Sequence, residues 1–355
     1  MSAFNSIPVL DLSLARDPNT KPAFLIELRR VLLEVGFLYL KNVGIEDAMF
    51  EKVKSEGKAF FDLPKEEKLK IEMKNAPSFL GYSKLGNEVT ADAIDHREQI
   101  DLSTTHPLKR PDQPLYMNIL GPNQWPSSTF LPTFRQTFED YMKRLGEISI
   151  FFTSLIAEAI GLPAGAFSAY FDKDQQHKLK IIKYPDLQEL GLEGEGQGVG
   201  PHKDYMFSTF LLQASEHRGL QVQNREGEWI DCPPINGTLV VNIGQGLEAV
   251  TQGVCVSTIH RALSPTPGTG PRFSIPFFQG VSLNAEFKDM AVPESVLELR
   301  KEIARTSGKR GDDVVFDLKK GKYRHLGEAI LMNRIKSHPD VGERWYPELL
   351  KEIKE

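Results

Sequence analysis

His202-Lys203-Asp204, a second histidine at His260, and Arg272-Phe273-Ser274 are the residues of this 355-residue chain whose types and spacing could do chemistry. Two imidazoles and one carboxylate on one side of a metal ion leave the opposite positions free, a donor set suited to Fe(II) that must also admit a co-substrate and O2. His202 and Asp204 stand two apart, so on a strand both side chains point to one face and can grip one ion. His260 then has to come from a distant strand. An H-x-D tripeptide alone is more often a surface or core feature than a metal site, so the setting decides. Arg272 falls in an apolar strand-like run, where a buried guanidinium is costly without an anion. Its rigid fork of donors matches a carboxylate, and Ser274, two residues on, faces the same side. The pattern reads as an iron site with a site for an oxo acid beside it.

Such a site needs a sheet to assemble it. STFLLQ (Ser208–Gln213), GLQVQ (219–223), TLVVNI (Thr238–Ile243) and RFSIPFF (Arg272–Phe278) have strand character and bracket the candidate ligands. They predict a mainly β fold with flanking helices, its core a sandwich or jelly roll (double-stranded β-helix). Helical spacing of apolar residues predicts helices over 21–34, 45–61 and 131–160, the last stopped by Gly161-Leu162-Pro163 and serving as a scaffold under the sheet. Residues 103–130, rich in Pro, Ser and Asn, read as a connection. The glycine-rich stretch 190–200 reads as a mobile linker leading into His202. The end, 326–350, reads as helical, broken at Pro339 and Pro347. The division expected is an N-terminal helix-and-strand region over 1–130, a jelly-roll core with its scaffold helix over 131–300, and a helical tail over 301–355.

Composition bounds the function. With 40% hydrophobic and 26% charged residues the chain can bury one large core. A net charge of −5 offers no electrostatic footprint for nucleic acid or an anionic membrane, and no segment has the run of about 20 apolar residues that spans a bilayer. The start lacks a basic-then-apolar signal. Two cysteines, Cys232 and Cys255, read as small buried residues and argue for a reducing compartment, so a cytoplasmic location is expected. No obligate protein partner is evident, and the expected partner is a small molecule.

Beyond the site, Ile7-Pro8-Val9-Leu10-Asp11-Leu12, 36–45 (GFLYLKNVGI) and Phe60-Phe61-Asp62-Leu63-Pro64 in the first half are similar to the isopenicillin N synthase-like 2-oxoglutarate/Fe(II)-dependent dioxygenases. In the second half so are 219–222 (GLQV), Trp229, 237–244 (GTLVVNIG), Leu247-Glu248 and 257–261 (STIHR). The resemblance covers most of the chain. It implies that His202, Asp204 and His260 hold Fe(II) and that Arg272 and Ser274 hold the distal carboxylate of 2-oxoglutarate, with Tyr184 as a further contact. It also implies O2 as co-substrate and ascorbate as a stimulant. Three positions depart from the family: Ile182 stands where many members have Asn, Lys203 where many have Thr, and Gln245 where many have Asp. The Asn contact to the co-substrate is therefore missing. Lys203, lying between two same-face ligands, should project away from the metal.

In such enzymes 2-oxoglutarate is decarboxylated to succinate and CO2 while a substrate is hydroxylated, desaturated or rearranged. Two segments, 201–204 (PHKD) and 336–340 (KSHPD), look most like the fungal enzymes of specialised metabolism. Tyr205, Phe207 and Phe278, with Met206 and Phe277, are expected to build an apolar, aromatic wall for a largely apolar, drug-sized molecule. Tyr82 and Arg97 are expected to touch substrate, whereas His96 is expected outside the metal shell. Two other readings stand beside this one: an oxidase of the isopenicillin N synthase kind that uses no 2-oxoglutarate, and a binding protein that keeps the fold without turnover.

Overall fold

The computed structural model describes residues 3–90, 93–172, 175–286, 288–306 and 323–354. In chain order the elements are β1 (Val9–Asp11), α1 (Lys21–Glu34), β2 (Phe37–Lys41), α2 (Asp47–Phe61), α3 (Lys65–Lys70), β3 (Gly81–Ser83), β4 (Val89–Thr90), β5 (Ala93–Ile94) and β6 (Glu98–Ser103). Next come α4 (Phe134–Ala159), β7 (Lys178–Tyr184), α5 (Leu187–Leu190), β8 (Gln197–His202), β9 (Ser208–Gln213), β10 (Leu220–Gln223), β11 (Trp229–Asp231), β12 (Thr238–Ile243) and α6 (Gln245–Val250). The chain then runs through β13 (His260–Leu263), β14 (Arg272–Phe278), α7 (Glu294–Thr306), α8 (Leu326–Ser337), α9 (Pro339–Trp345) and α10 (Pro347–Lys354).

Among the described residues these strands form an eight-stranded sheet in the order β1-β2-β12-β9-β14-β7-β6-β3, a four-stranded sheet β11-β10-β13-β8, and the ribbon β4-β5. Apart from the parallel pair β1·β2, neighbouring strands in the two larger sheets are antiparallel. The two sheets are the layers of a jelly roll, and one cavity of roughly 310 Å³ is lined by residues of both. Strand periodicity sorts the large sheet into two faces. Leu179 and Ile181 of β7 and Ile275 and Phe277 of β14 are buried in the core that α2 and α4 cover. A Cβ added at Gly57 of α2 would lie 3.0 Å from Ile181 Cγ2 and 3.3 Å from Ile275 Cδ1, so glycine lets the helix sit this close without pressing on either side chain. The alternate residues, Lys178, Lys180, Ile182 and Tyr184 with Arg272, Ser274, Pro276 and Phe278, face the cavity.

The predicted strands β9, β12 and β14 have the predicted limits. The helices over 21–34, 45–61 and 131–160 are α1, α2 and α4, and a short 3-10 turn, Leu115–Ile119, lies inside the connection 103–130. The stretch 190–200 is more ordered than expected. From Gln197 on it is β8, paired with β13 through His202↔His260, since glycine tolerates an extended backbone pressed close to Tyr184. Strands β1, β2, β3 and β6, from residues 1–130, lie in the same sheet as β9, β12, β14 and β7, and the 300/301 division falls inside α7. Of the tail, 307–322 lies outside the described residues. The rest is α8, then α9 and α10, which start at Pro339 and Pro347, where proline loses no helical hydrogen bond. Helix α8 returns over the cavity and contributes Ile330, Asn333, Arg334 and Ser337 to its lining, followed by His338.

Candidate metal centre and cavity

One ligand atom each from His202, Asp204 and His260 falls within 4.8 Å of the others. The two rings lie 4.3 Å apart centre to centre, and Asp204 Oδ1 is 3.7 Å from Nε2 of each. His202 Nδ1 donates to Gly200 O at 2.8 Å and His260 Nδ1 to Thr258 O at 3.1 Å. A carbonyl can only accept, so each Nδ1 carries a proton, and in the neutral ring this leaves the lone pair on Nε2, the atom turned toward the carboxylate and the tautomer a metal requires. Burial, helped by the neighbouring His260, pushes His202 down to about 4. For Asp204 burial works against the charged form, yet the two imidazoles and hydrogen bonds from Thr209 and Asn242 hold it below its ordinary value. Two imidazoles and one carboxylate make a donor set that a divalent cation fits.

Sheet alternation places His202, but not Asp204. Strand β8 ends at His202, and Asp204 belongs to the turn that follows. It is fixed there by three contacts: Thr209 Oγ1 and Asn242 Nδ2 donate to Oδ2, and Gln245 N donates to its carbonyl at 2.8 Å. Lys203 points away from the trio to Glu248, 3.6 Å from Oε2. Phe37 sets its ring edge against His260 at 5.1 Å. Asn242 and Thr209 escaped the sequence reading, although a lone asparagine inside the apolar run TLVVNI was the available signal.

Beside the trio, Arg272 is only 2% exposed. Its guanidinium stacks over Tyr184, 4.9 Å from the ring centre, and Nη1 has no hydrogen-bond partner among the described residues. Ser274 Oγ lies 3.5 Å from the Tyr184 hydroxyl. Register explains the grouping, because Arg272 faces Tyr184 and Ser274 faces Ile182 across β14 and β7. Ile182, at the departing position, packs with Tyr184, Val199 and Ala262. A buried guanidinium with a donor to spare and a hydroxyl beside it suits a carboxylate.

Of the residues expected at the substrate, Arg97, Tyr205 and Phe278 line the cavity. Tyr82 does not. It faces Ile100 across β3 and β6, on the helix-covered face, where its hydroxyl donates to Glu98 Oε2 at 2.7 Å. Phe207 is also elsewhere, because the chain turns before β9 and buries its ring among Phe167, Tyr170 and Phe171. His96 lies outside the trio. The expected apolar wall is half right. Met206, Leu211, Pro276, Phe278 and Ile330 supply it, but Glu88, Arg97, Lys178, Lys180, Arg334 and His338 line the same cavity. Arg97 pairs with Glu88 and, at 3.1 Å, with Asp95; Arg334 pairs with Asp101 at 3.0 Å.

Comparison with known proteins bears on this geometry. Residues 7–128 match a family model described as "non-haem dioxygenase in morphine synthesis N-terminal", and residues 176–281 one described as "2OG-Fe(II) oxygenase superfamily". The chain is 66% identical to the "2-oxoglutarate-dependent dioxygenase frbJ" of Dothideomycetidae sp. (strain 11243), over 99% of this chain and 95% of the relative. It is 38% identical to a "2-oxoglutarate-dependent dioxygenase" of Gibberella zeae, over 99% of this chain and 93% of that one. Among solved structures, a full-length Neurospora crassa protein in complex with alpha-KG and thymine superposes with a TM-score of 0.69 at 26% identity, covering 86% of this chain and 99% of that one.

Proposed function

Because the chain belongs to the 2OG-Fe(II) oxygenase superfamily and is a 2-oxoglutarate-dependent dioxygenase, we propose that His202, Asp204 and His260 hold its Fe(II) and that Arg272, Ser274 and Tyr184 hold its 2-oxoglutarate. The observation that carries this reading is Arg272, a guanidinium 2% exposed with Nη1 unpartnered, in the cavity that also holds a His-Asp-His trio. Bound there, iron and 2-oxoglutarate supply the oxidation of substrate by O2 coupled to release of succinate and CO2.

The chain's own residues do the rest. Carbonyls of Gly200 and Thr258 hold the imidazole tautomers, and Thr209 and Asn242 hold the Asp204 carboxylate. Arg272 neutralises the distal carboxylate of the oxo acid, while Ile182 and Val199 keep that end of the cavity dry. Arg97, Tyr205 and Phe278 border the space left for a small-molecule substrate. The resemblance of 201–204 (PHKD) and 336–340 (KSHPD) to fungal enzymes supports a role in specialised metabolism. The two buried, free thiols, whose pKa values burial raises to about 12, suit a reducing, cytoplasmic setting.

Anaerobic titration of the Fe(II) protein with 2-oxoglutarate tests the assignment. A weak visible charge-transfer band should grow in and be lost in Arg272→Ala. A band of unchanged strength and affinity in that variant would place the anion elsewhere.

A further inference from the structure

The cavity holds a basic side chain that neither the trio nor the oxo-acid site uses and no acid among the described residues matches. Lys178 Nζ is buried and has no hydrogen-bond partner among the described residues, although the residue lines the cavity. The other charges there are matched. Glu88, Asp95 and Asp101 stand against Arg97, Lys180 and Arg334, with Lys180 3.4 Å from Glu88 and 3.6 Å from Asp101. His338 is neutral, and its Nε2 accepts from Arg334 Nη1 at 3.3 Å. Lys178 is therefore a surplus basic group, and burial, reinforced by Arg334 and Lys180 and only partly offset by Asp101, pushes its pKa well below that of a free lysine. A buried ammonium without an anion is costly to keep.

Its place in the sheet says what it faces. Lys178 lies opposite Phe278, and Phe278 opposite Thr209, whose hydroxyl holds Asp204. These three form one row on the cavity side, so the Lys178 backbone stands only about 10 Å across the sheet from that of Thr209, two strand spacings away. A molecule of a few carbons spans such a gap. Phe278, Leu211, Pro276 and Ile330 give its body an apolar bed.

We propose that Lys178 anchors a single carboxylate of the prime substrate, so that the enzyme oxidises a small monocarboxylic molecule lying between Lys178 and the metal site. One unmatched cation fits a monoanion better than a doubly charged phosphate. The inference rests on the assignment of iron and 2-oxoglutarate above, and it goes further by naming the substrate's chemical class.

The test uses the Fe(II)- and 2-oxoglutarate-loaded enzyme and a panel of amino, aliphatic and aromatic carboxylic acids, each beside its primary amide. Succinate formation identifies the best acid, and anaerobic equilibrium dialysis measures its binding. The amide should bind at least about thirtyfold more weakly than the acid, and Lys178→Met should weaken the acid by the same factor. In Lys178→Met the affinity for 2-oxoglutarate should stay within about twofold, and the thermal midpoint should hold or rise, because a buried amine without a hydrogen-bond partner has gone. The proposal is overturned if no acid in the panel stimulates succinate formation, if amides match acids, if Lys178→Met binds the acid normally, or if that variant melts lower. Absence of the charge-transfer band in wild-type protein would instead overturn the reading on which the proposal rests.

Discussion

At the scale of single residues, each contact at the site carries a separable cost. Asp204→Ala or His260→Ala removes a donor from a set of three, so bound iron should fall to near zero and turnover should cease. Thermal melting should stay cooperative, since neither side chain belongs to the apolar core. Full activity in either purified variant would refute the ligand assignment. Arg272→Ala should raise the 2-oxoglutarate concentration needed for half-maximal turnover by about two orders of magnitude, the effect of truncating one partner of a buried, hydrogen-bonded charge pair. Asn242→Ala leaves Asp204, among the described residues, with Thr209 as its one side-chain donor at Oδ2. Loss of an outer contact of this kind lowers metal affinity by about 10–100-fold, which competition against a chelator would measure. The trio and Arg272 were legible in the sequence because donor residues and a guanidinium are conspicuous in apolar strands. Lys178 and Lys180 were not. In KLKIIKY they alternate with Leu179 and Ile181, and a strand with one polar face reads as half solvated. Only the fold turns that face inward.

At the scale of elements, periodicity and register decide what the site contains. Apolar runs gave β9, β12 and β14 and the helices α1, α2 and α4 because burial there follows strand or helix spacing. Strand β8 was missed because its glycines carry no periodic signal, and Tyr82 was misplaced because its facing depends on pairing with Ile100, which no local pattern fixes. Gly36 joins α1 to β2 and so positions Phe37 against His260. Its φ is +69°, its N–H closes the helix on Val31 O at 2.8 Å, and an added Cβ would lie 2.0 Å from Val256 O. Gly36→Ala therefore combines a left-handed backbone with a clash against main chain that has little room to retreat. It should destabilise the protein by about 2–4 kcal/mol in denaturant titration. Iron affinity should drop as well, because the strand that abuts His260 shifts. A change under about 0.5 kcal/mol would mean that the junction is soft.

At the scale of the whole molecule, the histidines that the core keeps neutral set its response to acid. Burial pushes His177 down to about 4, and burial also pushes His338 to about 3 despite the Glu88 carboxylate 3.4 Å away. Gly280 N donates to His177 Nδ1 at 3.2 Å, and His338 is closed off at the end of α8, so only unfolding frees these rings to take a proton. Above the ordinary histidine value of 6.5 neither the folded nor the unfolded chain protonates them, and they leave stability unchanged. Below 6.5 the unfolded chain binds protons that the folded chain refuses, so stability falls as pH falls, by about 1.4 kcal/mol per unit for each ring. The loss continues until the folded values are reached. Carboxylates such as Glu88, held low in spite of burial by Arg97 and Lys180, begin to cost stability only as pH falls through their ordinary value of 4.5. The window between pH 6.5 and 5 is thus governed by histidine. Metal-free protein should lose about 2 kcal/mol per buried ring across it, with His202 adding a loss of the same sign. Denaturant midpoints measured at both pH values would show the decline, and His338→Gln should make it shallower by one ring's share. Equal slopes in the two proteins would mean that His338 already carries its proton in the fold, and the closure of α8 over the cavity would then rest on an ion pair with Glu88.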